Sequence, residues 1–169
     1  NTLASVCIRG KEVGLALIEL ASGRFETLDA TPETLLDQLV RERPSELLID
    51  DDRGGAAERI ATEWRQLGGS VVTRRPLHEF SNYQAEQTLL DHFGVATLAG
   101  FGFDRVDAAL CAAGSILQYL RETQKTALTH IASIRRRVTA DSVQIDHGSW
   151  RSLEIERTLR SGAVEGTLL

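Results

Sequence analysis

The sequence predicts an α/β domain built on a mixed β-sheet, with three antiparallel strands followed by alternating helices and strands. Two observations lead to this prediction. The N-terminal segment contains three apolar runs joined by short polar turns, which is typical of an antiparallel meander. The hydrophobic period then lengthens from two residues to that of a helix, and short apolar runs separate amphipathic stretches. The resulting order, β-β-β-α-β-α-β, favours a layered fold with crossover helices.

The three N-terminal strands are predicted over residues 3–8, 13–20 and 25–28. Polar turns at residues 9–12 and 21–24, each containing a glycine, separate them. Turns this short join neighbouring antiparallel strands. The sheet therefore begins as a meander.

Helices and buried strands then alternate. Thr31 followed by Pro32 predicts a helix start, because a hydroxyl caps the helix and proline suits its first position. Residues 47–49 are wholly apolar, as strands buried on both faces of a parallel sheet are. A second helix follows over residues 56–67, and residues 70–73 form a fifth strand.

Three further helices are predicted in the rest of the chain, the last of them over residues 150–159, after an alternating, strand-like segment at residues 142–146. Ser81 and Gln84 fit a capping box at the start of the first one. The second is a long helix within residues 104–131, whose apolar stripe is rich in alanine and glycine. Such a stripe lets another backbone approach closely. The polar run at residues 121–126 predicts an exit from the domain.

Composition limits the possible classes of protein. The chain has 169 residues, of which 42% are hydrophobic and 25% are charged, as in one ordinary globular domain or one domain with part of another. Its net charge of −5 argues against a surface devoted to nucleic acid. No apolar stretch approaches the roughly 18–20 residues of a membrane span. The chain starts at Asn1, contains no methionine and shows no leader, so we expect a fragment of a longer protein.

The two cysteines, Cys7 and Cys111, are predicted to be small buried apolar residues rather than a disulfide framework. A reducing cytoplasm is the setting that this cysteine usage favours.

The strongest candidate for catalysis is the run from Asp50 to Asp52, at the end of a predicted parallel strand. Ligands commonly bind at that edge of α/β sheets, and paired carboxylates hold Mg²⁺. The predicted order of elements also matches the ribonuclease H-like topology, whose nucleases place one metal-binding acid in the first strand. Residues 3–8 contain no acid, so a two-metal site is incomplete. A solvated turn with Arg53 is the favoured interpretation, and a metal-dependent nuclease or a nucleotide-binding enzyme is the alternative.

Other chemistry is not indicated by the sequence. His78, His92, His130 and His147 lack metal-ligand spacing, and no phosphate-binding loop or nucleophile elbow occurs. The run Arg135–Arg137 is interpreted as a solvated face or linker, with phosphate contact as the alternative. We therefore expect no catalytic residue, no cofactor and no metal ligand.

Several motifs together resemble the MutS family of DNA mismatch-repair proteins. The most specific part runs from Phe93 to His130, and the similarity extends weakly over most of the chain. The motifs lie at residues 14–16, 22–25, 43–48, 92–95, 100–102, 112–114, 117–125, 128, 130, 146, 151, 153–154 and 159–160. Residues 146–153 depart from the family pattern. The family's mismatch-reading Phe-x-Glu and its ATPase P-loop do not occur.

The resemblance implies three segments. Residues 1–124 would be a ribonuclease H-like connector domain, residues 125–141 a linker or junction, and residues 142–169 the truncated beginning of the core, or lever, domain. The connector would be non-catalytic, and it would couple mismatch recognition to the ATPase and clamp domains. ATP and Mg would bind to the ATPase domain of the parent protein, which is absent here.

The resemblance also implies partners and sites. Partners would be the other MutS domains, a MutL-like matchmaker, mismatched DNA through the parent protein, and a second copy in a parent homodimer, without any membrane. The helix over residues 82–92 would offer a docking surface for MutL, and the end of the long helix would form the domain junction. The docking residues would be Gln84, Gln87, Thr88 and Asp91, and the junction residues Arg121, Thr123, Gln124 and Lys125.

Overall fold

The computed structural model describes residues 1–138, except for the side chains of residues 126 and 127. Its strands are β1 (Thr2–Arg9), β2 (Glu12–Glu19), β3 (Arg24–Ala30), β4 (Glu46–Asp50), β5 (Val71–Arg75) and β6 (Arg135–Arg136). Its α-helices are α1 (Leu35–Glu42), α2 (Ala56–Gln66), α3 (Asn82–Phe93) and α4 (Ala108–Thr123). Short 3₁₀ helices cover Leu77–Phe80, Ala99–Phe101 and Lys125–His130.

All six strands form one mixed sheet in the order β5-β4-β1-β2-β3-β6. The first three are antiparallel, β4 and β5 run parallel to β1, and β6 runs parallel to β3. The predicted meander, the two parallel strands and the mixed sheet with flanking helices are therefore confirmed.

The core consists of two apolar layers, one on each face of the sheet. Alternation along the strands decides which side chain enters which layer, because successive side chains point to opposite faces. In β2, Leu15 and Leu17 pack with α1 and α2, whereas Ala16 and Ile18 pack with α3 and α4. The domain is thus a three-layered α/β/α unit.

Of the two predicted helix starts, the one at Ser81 is confirmed and the one at Thr31 is not. Ser81 Oγ accepts a hydrogen bond from the Gln84 backbone N–H at 3.1 Å, as the capping box predicts. Thr31 Oγ1 accepts one from the Thr34 N–H at 3.1 Å. However, α1 begins only at Leu35, because the residues directly after Thr31 form a turn before the regular helix.

The long helix α4 is the central element of the second layer. Eleven of its sixteen residues are buried, and its small residues touch neighbouring backbones. A Cβ atom placed on Gly14 of β2 would lie 2.0 Å from the Ala109 N atom, and one on Gly114 would lie 2.7 Å from the Ala85 Cα atom. The predicted seam of small residues is therefore real. No helix in the described part of the chain is both long and apolar enough to cross a membrane.

The segment after α4 differs from the expected linker. Ile131 and Ile134 are 3% and 2% exposed and belong to the layer around α4. The Arg137 N–H donates a hydrogen bond to the Thr27 carbonyl at 2.7 Å, which extends the pairing of β6 with β3. Up to residue 138 the predicted linker is therefore part of the folded unit. The strand and helix expected beyond residue 141 lie outside the described residues.

The seam can be tested by substituting Gly14→Ala. We expect a loss of about 3 kcal/mol or more in the free energy of unfolding, because the added methyl group overpacks against backbone atoms that cannot move independently. Gly54→Ala is the matched control, since a Cβ atom there meets nothing within 4 Å, and it should change stability by about 0.5 kcal/mol or less. Urea unfolding measures both. Equal effects of the two substitutions would contradict the close approach of α4.

Candidate docking and junction surfaces

The acidic run after β4 lies at the edge of the sheet where β1 and β4 both end. Asp50 is half-buried, and burial raises the pKa of its carboxyl group above the ordinary value. Asp51 and Asp52 are exposed, and Asp51 forms an ion pair with Arg53 at 3.5 Å. Within residues 1–138, no three histidine, cysteine, aspartate or glutamate side chains are grouped so that they could hold a metal ion. The Asp51–Arg53 pair fits the interpretation of this run as a solvated turn.

The centre of β1 is occupied by packing against α4. Ser5 Oγ and Ser115 Oγ lie 2.6 Å apart, and both residues are fully buried. Ser115 Oγ also donates to the Ala112 carbonyl. The two buried hydroxyl groups are hydrogen-bonded to each other between the sheet and the helix. The middle of β1 therefore has a structural role.

The candidate docking surface lies on the outer side of α3. Asp91 is exposed, and Gln84 and Gln87 are partly exposed. Tyr83, which sequence reasoning missed, is 72% exposed. Its spacing from Gln87 and Asp91 is i, i+4 and i+8, which puts the three residues on one stripe. This periodicity was visible in the sequence and could have identified Tyr83.

Thr88 does not belong to this surface. Only 2% of the residue is exposed, and its Oγ1 atom donates to the Gln84 carbonyl at 2.8 Å. Thr88 faces α4, because its Oγ1 atom lies 3.5 Å from Gln118 Oε1 of that helix, and its neighbours Ala85, three positions before it, and Leu89, directly after it, are core residues. The prediction that Thr88 lies on the partner-binding surface is therefore wrong, because its side chain is buried.

The candidate junction residues have different structural roles. Arg121 Nη2 donates to the Thr88 carbonyl at 3.3 Å and so ties the end of α4 to α3. Thr123 Oγ1 donates to the Tyr119 carbonyl at 2.9 Å, and the Gln124 N–H donates to the Leu120 carbonyl at 2.7 Å. These two residues therefore finish the last turn of α4. Lys125 is exposed at the start of the following 3₁₀ helix.

A polar network that the sequence did not reveal braces the same end of α4 against the sheet. Arg75 of β5 binds Glu79 through two hydrogen bonds of 2.9 Å and binds Glu122 of α4 at 2.9 Å. The hydrogen bond from Arg75 holds the pKa of Glu122 below its ordinary value. The sequence did not predict this network, because Glu122 is far from Arg75 along the chain. Only Arg75 and Glu79, four positions apart, are close in sequence.

Tyr119 of α4 forms the other half of this brace. Its hydroxyl group donates to Glu46 Oε2 of β4 at 2.6 Å, and the Thr73 hydroxyl of β5 donates to the same oxygen at 2.6 Å. Burial, followed by the hydrogen bond to Glu46, raises the pKa of Tyr119. The end of α4 is thus fixed to both parallel strands at this edge of the sheet.

A second contact joins α3 to residues 131–138, which lie within the predicted linker and are called the exit segment below. The His92 Nε2 atom, in the last turn of α3, lies 2.6 Å from the Ile131 carbonyl oxygen. The same helix accepts the Arg121 hydrogen bond at Thr88. One helix therefore carries the candidate docking surface and contacts both the end of α4 and the exit segment.

Comparison with known proteins identifies the domain. The family model of MutS domain II matches residues 1–132. The chain belongs to the MutS family. Domain II is the non-catalytic connector domain, and its match ends within the exit segment described above.

A search of solved structures gives a more distant similarity to this MutS connector. RuvC of T. thermophilus, solved in complex with a Holliday junction substrate, is 15% identical to it. The superposition has a TM-score of 0.47 and covers 72% of this chain and 96% of the RuvC chain.

For the acidic run of this MutS connector, we expect no specific binding of Mg²⁺. A two-metal site needs carboxylates from several elements, and β1 supplies none. In a ¹H–¹⁵N NMR titration with MgCl₂, the amide signals of residues 50–52 should shift only as they do in a NaCl titration of matched ionic strength. Saturable shifts at micromolar Mg²⁺ that NaCl does not reproduce would reverse this assignment.

Proposed function

We propose that this connector couples mismatch recognition to the ATPase and clamp domains of a MutS-like DNA mismatch-repair protein. The observation that carries the proposal is the position of α3. Its outer side is exposed, and its inner side contacts Arg121 at the end of α4 and Ile131 in the exit segment. A displacement of α3 therefore acts directly on the path by which the chain continues.

The coupling role is supported by the rigidity of the connection. The central helix α4 packs along β1, β2 and α3, and its end is braced to β4 and β5 through Tyr119 and Glu122. Close-packed elements move together because their interiors resist compression. A force applied at α3 would thus be transmitted to the sheet and the exit segment together.

We further propose that a MutL-like matchmaker docks on the outer stripe of α3. Gln84, Gln87 and Asp91 would be the polar contacts, and Tyr83 would be the aromatic anchor. An exposed tyrosine beside adaptable amide groups is a composition found at protein interfaces. Thr88 is omitted because its side chain is buried.

In this proposal the chemistry belongs to other domains of the parent protein. Those domains would bind mismatched DNA, ATP and Mg, and they would form the homodimer in the cytoplasm. The connector would hold α3 in position and would transmit a displacement of α3 to the other domains. A nuclease function has no supporting observation, because β1 carries no acid and Ser5 is engaged by Ser115.

Docking can be tested by crosslinking. Single cysteines replace Gln87 and Asp91 on α3 and, as matched controls, Thr62 and Gln66, which are exposed on α2 across the sheet. With mismatched DNA and ATP present, the complete mismatch-repair protein should crosslink to MutL through positions 87 and 91 and not through positions 62 and 66. Absence of crosslinks along α3 would reject the docking surface and leave the coupling role to be judged by the next experiment.

Coupling can be tested by Arg121→Ala and by the double substitution Gln124→Ala with Lys125→Ala. The first removes a charge-assisted hydrogen bond worth about 1.5–3 kcal/mol, and the second changes the start of the exit segment. We expect the stimulation of ATP hydrolysis by mismatched DNA to fall several-fold in the complete protein. Glu63→Ala on the exposed side of α2 is the control. Unchanged stimulation in both variants would contradict the coupling role.

A further inference from the structure

Three consecutive arginines bind four acids on both faces of the sheet. Arg137 lies 2.7 Å from Glu26 and 2.5 Å from Glu42. Arg135 also forms an ion pair with Glu26. Arg136 lies 3.2 Å from Asp29 and 2.8 Å from Asp107. These ion pairs join residues that are far apart in the sequence, so no local pattern predicts them.

The alternation of a strand explains how one short segment reaches both faces. Neighbouring side chains of a strand point to opposite sides. Arg135 and Arg137 meet Glu26 on the α1 side of the sheet, whereas Arg136 meets Asp107 at the start of α4 and lies over the Phe103 ring at 4.9 Å. The segment thus clamps the sheet edge between the two helical layers.

The acids that it binds depend on these arginines. Glu26 is only 3% exposed, and a buried carboxylate needs nearby positive charge. Burial alone would raise the pKa of Glu26, but hydrogen bonds from Arg137 and Arg135 hold it below its ordinary value. Its remaining cation, Arg24 at 3.6 Å, belongs to β3 and is half-exposed. Asp107 uses one oxygen to cap α4 and the other to bind Arg136.

Apart from these charges, the segment has few attachments. Its strand, β6, has two residues, and strands this short are not stable without other contacts. Ile131 and Ile134 are its two buried side chains. Backbone atoms of the segment take part in the short β6–β3 pairing and in hydrogen bonds with Leu128, Thr27 and His92.

We propose that residues 131–138 form an electrostatic strap, which exchanges between a docked position and a released one and so sets where the chain leaves the domain. In the docked position, residues 135–137 are held at the β3 edge of the sheet. In the released position the exit moves back to the 3₁₀ helix after α4, and eight residues become available as a tether of about 26 Å. The released form is a minority state that grows with ionic strength, since salt weakens ion pairs. The strap requires no partner, so it stands independently of the docking proposal.

Hydrogen–deuterium exchange of the 169-residue chain, followed by mass spectrometry, tests the strap. Peptides that cover residues 131–138 report on it, and peptides from β2 report on the whole domain. Between about 0.05 M and 1 M NaCl, exchange in the strap should accelerate several-fold while β2 stays protected. Glu42→Gln, which removes an acid outside the strap, and Arg137→Gln, which removes its partner, should each accelerate strap exchange about tenfold.

Arg24→Gln is the matched control, because Arg24 contacts the same Glu26 but lies on β3 and cannot hold the strap. The exchange rate of the strap in Arg24→Gln should stay within about twofold of the wild-type rate. A twofold change in rate corresponds to a change in the free energy of strap opening of well under 1 kcal/mol. Should Arg137→Gln unfold the domain, the salt series and Glu42→Gln decide alone. Strap exchange that follows β2 at every salt concentration, or that responds equally to Arg24→Gln and Glu42→Gln, would overturn the proposal.

Discussion

The close packing of α4 against the sheet is the constraint on which the rest of the structure depends. Gly14 in β2 leaves no room for a side chain beside the backbone of Ala108 and Ala109. Because the helix lies this low, Ser115 can reach Ser5 in the middle of β1, and Ala85 of α3 can contact Gly114. The same closeness places the end of α4 against β4 and β5, where polar side chains brace it. One steric fit therefore positions both α3 and the end of α4.

This packing also affects the edge of the sheet where β1 and β4 end. The acidic run follows β4, but β1 itself supplies no carboxylate and contributes Ser5 and Cys7 to the interface with α4. In the described residues, no three potential metal-binding side chains are grouped so that they could hold a metal ion. The central strands hold a helix, which suits the non-catalytic connector domain of the MutS family.

Local physical signals predicted much of this fold. Period-two and helical patterns located the meander and the helices, the Ser81 capping box was correct, and the small-residue stripe predicted the α4 seam. The errors concern contacts between distant residues. Thr88 was assigned to the partner-binding surface, although it lies beside the core residues Ala85 and Leu89. Residues 125–141 were predicted to be a linker or junction and the arginines a solvated face or linker, because the partners of those arginines at Glu26, Asp29 and Asp107 are invisible to any local pattern.

Two kinds of attachment therefore coexist in this domain, and they respond differently to their surroundings. The α4 seam is steric and apolar, so ionic strength affects it little, and it keeps the three layers together as one body. The arginine strap is held mainly by charges at a sheet edge, where water and salt compete with them. Under the proposed coupling role the connector needs both properties, because it would transmit a displacement without deforming and would also let the following chain change direction. Release of the strap would expose Ile131 and Ile134 at the border of the layer around α4, whereas the α4 seam itself would stay closed. Adjustment of the exit path is therefore expected at residues 131–138 rather than within α4.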